Sequence, residues 1–100
     1  MDTSEIKKAI DLVTIGKAVL LDVRRDEEWN AGHSAVATHF DSDRILAFDQ
    51  LPDIEKDKTI YVYCLSGGRA GRVKNKLIEA GFANVYNLGG LSDWQNAGGK

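Results

Sequence analysis

The chain has 100 residues, of which 43% are hydrophobic and 28% charged, and its formal net charge is −2 at pH 7. This length and composition are typical of a globular protein, so residues 1–100 are predicted to form a single domain. The small net charge gives no reason to expect nucleic acid or membrane binding, and no apolar run approaches the ~20 residues of a membrane span. The first eleven residues lack a signal-peptide core, which favours the cytoplasm.

The first predicted elements are a helix followed by a buried strand. Apolar residues recur at helical spacing between Ile6 and Val13, with charged residues between them. This pattern predicts an amphipathic helix that is capped by Thr3 or Ser4. Residues 18–23 form a short, continuous apolar run, as expected of a strand that is covered on both faces.

The middle of the chain is predicted to form short secondary-structure elements. Residues 26–31 predict a helical turn that ends at Gly32, and residues 36–40 predict a short second strand. The consecutive acidic residues 26–28 are interpreted as a solvated face of that turn rather than as a catalytic carboxylate pair.

Residues 42–51 are predicted to form a helix that Pro52 ends, because proline cannot continue a helical hydrogen-bond ladder. In this helix Ile45, Leu46 and Phe48 are expected to point inward.

The second half of the chain predicts strands that alternate with helices. Residues 59–63 are rich in β-branched and aromatic side chains and predict a strand. Residues 69–80 predict a helix closed by Gly81, residues 84–88 a last strand, and residues 91–97 a short helix. The alternation predicts an α/β fold with a central parallel sheet and helices on both faces.

Cys64 is the only cysteine and directly follows the strand at 59–63. It cannot form an internal disulfide, so it is either an inert buried residue or a single reactive thiol. Gly67 and Gly68 allow the backbone to curl so that successive N–H groups face a bound anion, and the following helix adds its positive end. These features favour the reactive thiol, because such surroundings stabilise a thiolate.

The helix after this turn begins with a run of positive charge. Arg69, Arg72, Lys74 and Lys76 occur with no acidic residue before Glu79. We call these four residues the basic rim and expect them to attract an anionic substrate. The rim lacks the interleaved aromatic residues of a single-strand nucleic-acid surface.

Residues at the ends of three predicted strands are expected to meet. Ligand sites in open parallel sheets lie beyond the carboxyl ends of the strands. Asp22 and Arg24 follow the first strand, Cys64 follows the third, and Gly89 with Gly90 follow the last.

Three ordered stretches resemble the motifs of single-domain rhodaneses, a family of sulfurtransferases. They are Leu21-Asp22-Val23-Arg24 running to Glu28-Trp29 and Gly32-His33, the loop Cys64-Leu65-Ser66-Gly67-Gly68-Arg69, and Leu88-Gly89-Gly90 with Trp94 and Gly98. The resemblance extends over nearly the whole chain and implies a rhodanese-like fold.

The resemblance also implies a mechanism without a metal or other cofactor. Cys64 is expected to take a sulfane sulfur from a small anionic donor such as thiosulfate, as a persulfide, and to pass it to cyanide, a thiol or a thioredoxin-like protein. Asp22 and Arg24 are expected to support the loop. The residues expected to bind the transferred sulfur and its donor are Leu65, Ser66, Gly67, Gly68 and Arg69.

The residue spacing of the loop supports this interpretation, and one residue within it opens an alternative. Related cysteine phosphatases use five residues between cysteine and arginine, whereas four separate Cys64 from Arg69, which favours sulfur over phosphate. Leu65 stands where thiosulfate-active relatives often carry a charged or polar side chain. A persulfide carrier or regulatory binding module with a dedicated protein partner is therefore the alternative.

The two histidines are weak candidates for metal ligands. His33 and His39 lack ligand-like spacing with Cys64, so structural roles are expected and no metal site is predicted. The resemblance implies that His33 packs beside Trp29. Trp94 is expected to pack in the core or at the domain edge rather than to form a binding platform.

Overall fold

The computed structural model describes all 100 residues and contains five helices and four strands. In chain order these are α1 (Thr3–Thr14), β1 (Ala18–Asp22), α2 (Asp26–Ala31), β2 (Thr38–His39), α3 (Ser42–Leu46), β3 (Thr59–Cys64), α4 (Gly68–Glu79), β4 (Asn84–Gly90) and α5 (Leu91–Asn96). The strands form one parallel sheet in the order β2-β1-β3-β4. The predicted parallel α/β sheet is confirmed. None of the helices combines the length and apolar character that a membrane crossing requires.

Strand β3 shows why both faces of the sheet carry helices. Successive side chains of a strand point to opposite faces. Ile60, Val62 and Cys64 belong to the apolar cluster on the face of α3 and α4. Tyr61 and Tyr63 belong to the cluster that α1 and α5 cover. All five residues are buried, so the predicted two-sided cover of the sheet is confirmed.

The register of the sheet brings the expected strand ends together. Asp22 of β1 lies opposite Tyr63, and Cys64 lies opposite Gly90 of β4. The pairing of β3 with β4 is irregular, because Val62 lies opposite Asn87 but Tyr63 lies opposite Gly89. One extra residue of β4 therefore bulges just before the strand ends beside Cys64.

The cap of α1 differs from the prediction. Asp2 is the capping residue, rather than Thr3 or Ser4. Its carboxylate accepts a hydrogen bond of 2.8 Å from the Glu5 amide, and the Glu5 carboxylate accepts one of 3.4 Å from the Asp2 amide. These two hydrogen bonds satisfy the amides of Asp2 and Glu5 at the start of the helix, which have no partner within the helix itself.

Strand β2 is shorter than the predicted strand at 36–40. It contains only Thr38 and His39, because the chain before it forms a turn in which the Ala37 amide donates to the Ser34 carbonyl. Phe40 leaves the strand but stays buried, and its amide donates to the carbonyl of Asp22.

Helix α3 ends five residues earlier than predicted. Ile45 is fully buried, but Phe48, expected to point inward, is 69% exposed. The helix ends at Leu46 because the Phe48 amide turns back to the carbonyl of Asp43 and Asp49 takes a left-handed φ of 51°. Aspartate adopts this conformation more readily than most residues.

Candidate active site

The sulfur of Cys64 lies where β3 turns into α4. Cys64 is 1% exposed, and its Sγ accepts a hydrogen bond of 2.9 Å from the amide of Gly67. Gly67 has a φ of 101°, in the left-handed region, and the helix begins at the next residue. Glycine is required there because a side chain would strain this conformation. The turn therefore directs a backbone donor and the positive end of a twelve-residue helix toward the sulfur.

Gly90 allows the cysteine loop to lie directly against β4. A Cβ atom at this position would overlap the carbonyl oxygen of Leu65. The Gly90 amide donates to the Asp93 carboxylate over 2.8 Å, which fixes the start of α5. Any larger residue at position 90 would displace the backbone of the loop.

The remaining loop residues differ in their surroundings. Leu65 is 66% exposed, and Ser66 and Gly68 are also exposed. Arg69 is half-buried. Of the loop amides, that of Gly67 is the one that bonds to the sulfur of Cys64.

Arg69 forms a two-pronged ion pair with Glu28 of α2. The Nη1–Oε1 and Nη2–Oε2 distances are 2.7 and 2.9 Å. The hydrogen bonds from Arg69 lower the pKa of Glu28, and those to Glu28 raise the pKa of Arg69 further. Parallel bonds of this kind fix the orientation of both groups. The pair thus joins α2 to the end of the cysteine loop.

This ion pair corrects two sequence-based interpretations. Glu28 is not part of a solvated acidic face, since its carboxylate binds Arg69. The basic rim is only in part a free positive surface, because Glu28 neutralises Arg69 and Asp49 lies 3.1 Å from the Nζ of Lys76, whereas Arg72 and Lys74 form no ion pair. Sequence spacing could not reveal these partners, because each acid belongs to a separate segment of the chain.

Asp22 and Arg24 form a buried pair at the same edge of the sheet. Arg24 donates to both carboxylate oxygens of Asp22, at 3.0 Å from Nε and 2.8 Å from Nη2. The hydroxyl of Tyr63 donates to the same carboxylate over 2.5 Å. Burial, and then the bond to Asp22, raises the pKa of Tyr63 well above its usual range, so Tyr63 stays a neutral donor.

The further contacts of this pair lead away from the cysteine loop. Arg24 Nη2 donates to the Gly32 carbonyl over 2.6 Å, and the Tyr63 hydroxyl accepts from the Ser34 amide over 3.1 Å. No hydrogen bond joins Asp22 or Arg24 to residues 65–69. Any support that the pair gives to the loop therefore passes through Tyr63, the residue before Cys64, or through α2, whose cap residue Gly32 accepts from Arg24 and whose Glu28 binds Arg69.

The two histidines stack on opposite sides of one indole. The ring of His33 lies 3.4 Å from that of Trp29 and the ring of His39 lies 4.7 Å from it, both nearly parallel. The expected packing of His33 beside Trp29 is confirmed. Trp94 is 1% exposed and lies in the core, also as expected.

Asn87 of β4 is a residue at the site that the sequence analysis missed. Its Nδ2 donates to the carbonyl of Gly67 over 3.0 Å, and its Oδ1 accepts from the amide of Gly89 over 3.0 Å. A polar residue between Tyr86 and Leu88, within strand β4, was the available signal. Strand alternation places Asn87 on the same face as the buried Val85, but the sequence does not reveal that the Gly67 carbonyl lies within its reach.

The family model of the rhodanese-like domain matches residues 4–97. The chain belongs to the rhodanese-like family. The resemblance of the three motifs to this family is thereby confirmed.

Individual rhodanese-like relatives cover most of the chain. The thiosulfate sulfurtransferase GlpE of Coxiella burnetii is 33% identical over 89 residues, which are 88% of this chain and 81% of GlpE. The Bacillus subtilis protein YqhL is 35% identical over 85 residues, which are 84% of this chain and 64% of YqhL. The chain therefore spans a little less than two thirds of YqhL.

Solved structures share the rhodanese-like fold. The crystal structure of a rhodanese-like domain protein from Staphylococcus aureus superposes with a TM-score of 0.77 at 29% identity. That comparison covers 98% of this chain and 92% of the S. aureus chain.

The Asp22–Arg24 pair generates a prediction on stability. Replacing Arg24 by Ala leaves the fully buried Asp22 carboxylate without its counter-charge, so the free energy of unfolding should fall by about 3–5 kcal/mol. Urea denaturation measures this loss. Arg25→Ala, at the exposed neighbouring residue, is the control and should change stability little. Equal effects of the two substitutions would contradict the proposed importance of the pair.

The Glu28–Arg69 pair generates a prediction on pH. The pKa of Glu28 lies below its ordinary value of 4.5 in the folded chain. Its contribution to stability is therefore present above pH 4.5 and is lost as the pH falls through the lower folded value. Glu28→Gln should be less stable than the wild type at pH 7, and urea denaturation at a series of pH values should show this difference shrinking below pH 4.5. Glu27→Gln, on the exposed side of α2, should show no such convergence.

Proposed function

We propose that the protein is a sulfurtransferase that carries a sulfane sulfur on Cys64 as a persulfide. The observation that carries the proposal is the hydrogen bond from the Gly67 amide to the Cys64 sulfur at the start of α4. A backbone donor and a helix N-terminus favour the thiolate over the thiol. The thiolate is the form of cysteine that acts as a nucleophile.

The reaction is written as two displacements. The Cys64 thiolate attacks the outer sulfur of a small anionic donor such as thiosulfate, a new S–S bond forms, and the donor's S–S bond breaks with its electron pair leaving on sulfite. A thiol, a thioredoxin-like protein or cyanide then attacks the terminal sulfur of the persulfide. The Cys64 thiolate leaves and is ready for another cycle.

The loop residues have different proposed roles. The backbone of Leu65, Ser66, Gly67 and Gly68 surrounds the transferred sulfur, as an oxyanion hole surrounds oxygen. The proposed role of Arg69 is to hold the end of the loop through Glu28, since both of its terminal nitrogens are engaged there. Asp22 and Arg24 are proposed to support the cysteine through Tyr63.

A phosphatase function has less support. A tetrahedral oxyanion in that chemistry needs an arginine whose guanidinium is directed at the substrate. Arg69 follows Cys64 after four residues and binds Glu28 instead.

A persulfide carrier that serves one protein partner is the second candidate. Leu65 is 66% exposed beside the cysteine, where it presents an apolar side chain rather than a charge. The three surface cavities are lined by residues other than Cys64 and its loop. A donor sulfur presented on a protein surface, rather than a small anion held in a cavity, fits these observations.

Intact mass spectrometry tests the persulfide. The protein incubated with thiosulfate should gain one sulfur atom, and cyanide should remove it. Cys64→Ser should gain none under the same conditions. Steady-state thiocyanate production then separates an enzyme from a dedicated carrier, which should load slowly and turn over little. Failure of every sulfane donor to load wild-type Cys64 would contradict both candidates.

Leu65 generates a further prediction on donor choice. Leu65→Arg places a positive charge beside Cys64, so loading by thiosulfate should accelerate roughly tenfold at low salt. The gain should disappear near 1 M salt, where the Debye length is about 3 Å. Loading is followed by the mass increase with time.

Ile78→Arg is the matched control for this substitution. It adds the same charge at an exposed position near the other end of α4 and should leave the loading rate unchanged. If thiosulfate loaded both variants equally faster, the effect would be due to net charge. If Leu65→Arg did not accelerate loading, the residue at position 65 would not limit thiosulfate use.

A further inference from the structure

Asn87 joins two backbone segments that meet beside Cys64. Its side-chain amide donates to the Gly67 carbonyl and accepts from the Gly89 amide, each over 3.0 Å. Both glycines have left-handed backbones, with φ of 101° and 109°. Glycine is the residue with the greatest conformational freedom, so a glycine turn needs external contacts to hold one conformation.

The bond to Gly67 acts on the residue that contacts the sulfur. The amide of Gly67 donates to Cys64 Sγ over 2.9 Å, while its carbonyl accepts from Asn87 and, over 2.9 Å, from the amide of Gly71. The Gly71 bond belongs to the first turn of α4, which is the part of a helix most prone to fray. The Asn87 bond ties the same carbonyl to the sheet.

Asn87 packs closely against the first turn of α4, as expected of a side chain that holds this turn in place. A Cβ atom at Gly71 would lie 3.4 Å from Asn87 Nδ2, and one at Gly67 would lie 3.4 Å from the Cα of Gly89. The side chain of Asn87 thus sits between β4 and the first turn of α4. Val85, two residues earlier on β4, belongs to the apolar cluster on the α4 face, so strand alternation places Asn87 on that face as well.

We propose that Asn87 is a positioning residue for Cys64, which holds Gly67 in the conformation that directs its N–H at the thiolate. The residue touches neither the sulfur nor the donor. The inference rests on the proposed function only in taking the Cys64 thiolate as the nucleophile. Its test therefore uses no sulfur donor.

The experiment compares Asn87→Ala with Asn84→Ala by the rate of alkylation of Cys64 with iodoacetamide as a function of pH. Asn84 is a matched control, because it lies on the same strand and also donates its Nδ2 to a loop carbonyl, that of Asp57, over 2.9 Å. It lies at the other end of β4, opposite Thr59.

The expected result separates positioning from stability. Asn87→Ala should alkylate about tenfold more slowly at pH 7, and its rate–pH profile should move to higher pH, since the charged sulfur loses a well-directed donor. Asn84→Ala should keep the wild-type profile, although both substitutions remove structural hydrogen bonds, two at Asn87 and one at Asn84, and lower the urea midpoint. If Asn87 had a purely structural role, Asn87→Ala would lower the urea midpoint and leave the rate–pH profile of alkylation unchanged.

Asn87→Leu provides a second variant of nearly the same shape that adds no charge near the thiolate. Its side chain cannot donate to Gly67, so alkylation should slow as in Asn87→Ala. It is also the variant to rely on if Asn87→Ala does not fold. Wild-type profiles in the folded Asn87 variants would overturn the inference. A wild-type protein that loads no sulfur, while these variants alkylate slowly, would refute the proposed function and leave this inference standing.

Discussion

The hydrogen bond from the Gly67 amide to the Cys64 sulfur is the contact around which the site is arranged. It requires a left-handed residue immediately before α4, and Gly67 supplies it. It also requires that β4 approach the loop closely, which Gly90 permits because a Cβ there would overlap the Leu65 carbonyl. Because the donor of this hydrogen bond is a backbone amide, the environment of the Cys64 sulfur depends on the fold holding the loop in one conformation.

The elements around the loop each restrict a different part of it. Strand β3 fixes Cys64 from the preceding side, and the buried Asp22–Arg24 pair fixes Tyr63 beside it. The ion pair with Glu28 holds Arg69 at the far end. These polar contacts lie where parallel strands end, because the apolar interior of the sheet offers no partners for charged groups.

Two positive charges near the cysteine, those of Arg24 and Arg69, are paired with carboxylates. This pairing affects which kind of sulfur donor fits the site. An arginine after a cysteine loop suggests a free cation for an anionic substrate, yet both terminal nitrogens of Arg69 bind Glu28. Leu65, exposed beside it, adds no charge, so the loop itself carries less uncompensated positive charge than its sequence indicates. A sulfur transfer between proteins is consistent with such a surface.

The sequence by itself determined the parallel sheet, the position of Cys64 at the end of β3 and the family, because these depend on local hydrophobic patterns and ordered motifs. It also placed α2 and α4 closely. It misjudged α3, which ends at Leu46 because the Phe48 amide turns back to the Asp43 carbonyl, so that Phe48 lies exposed. Only the tertiary structure decided that Glu28 binds Arg69 and that Asn87 reaches Gly67, since these partners are 41 and 20 residues apart in the chain. Pairings at such separations depend on how the sheet orders its strands and how the connecting segments pack beside them, which local patterns do not encode.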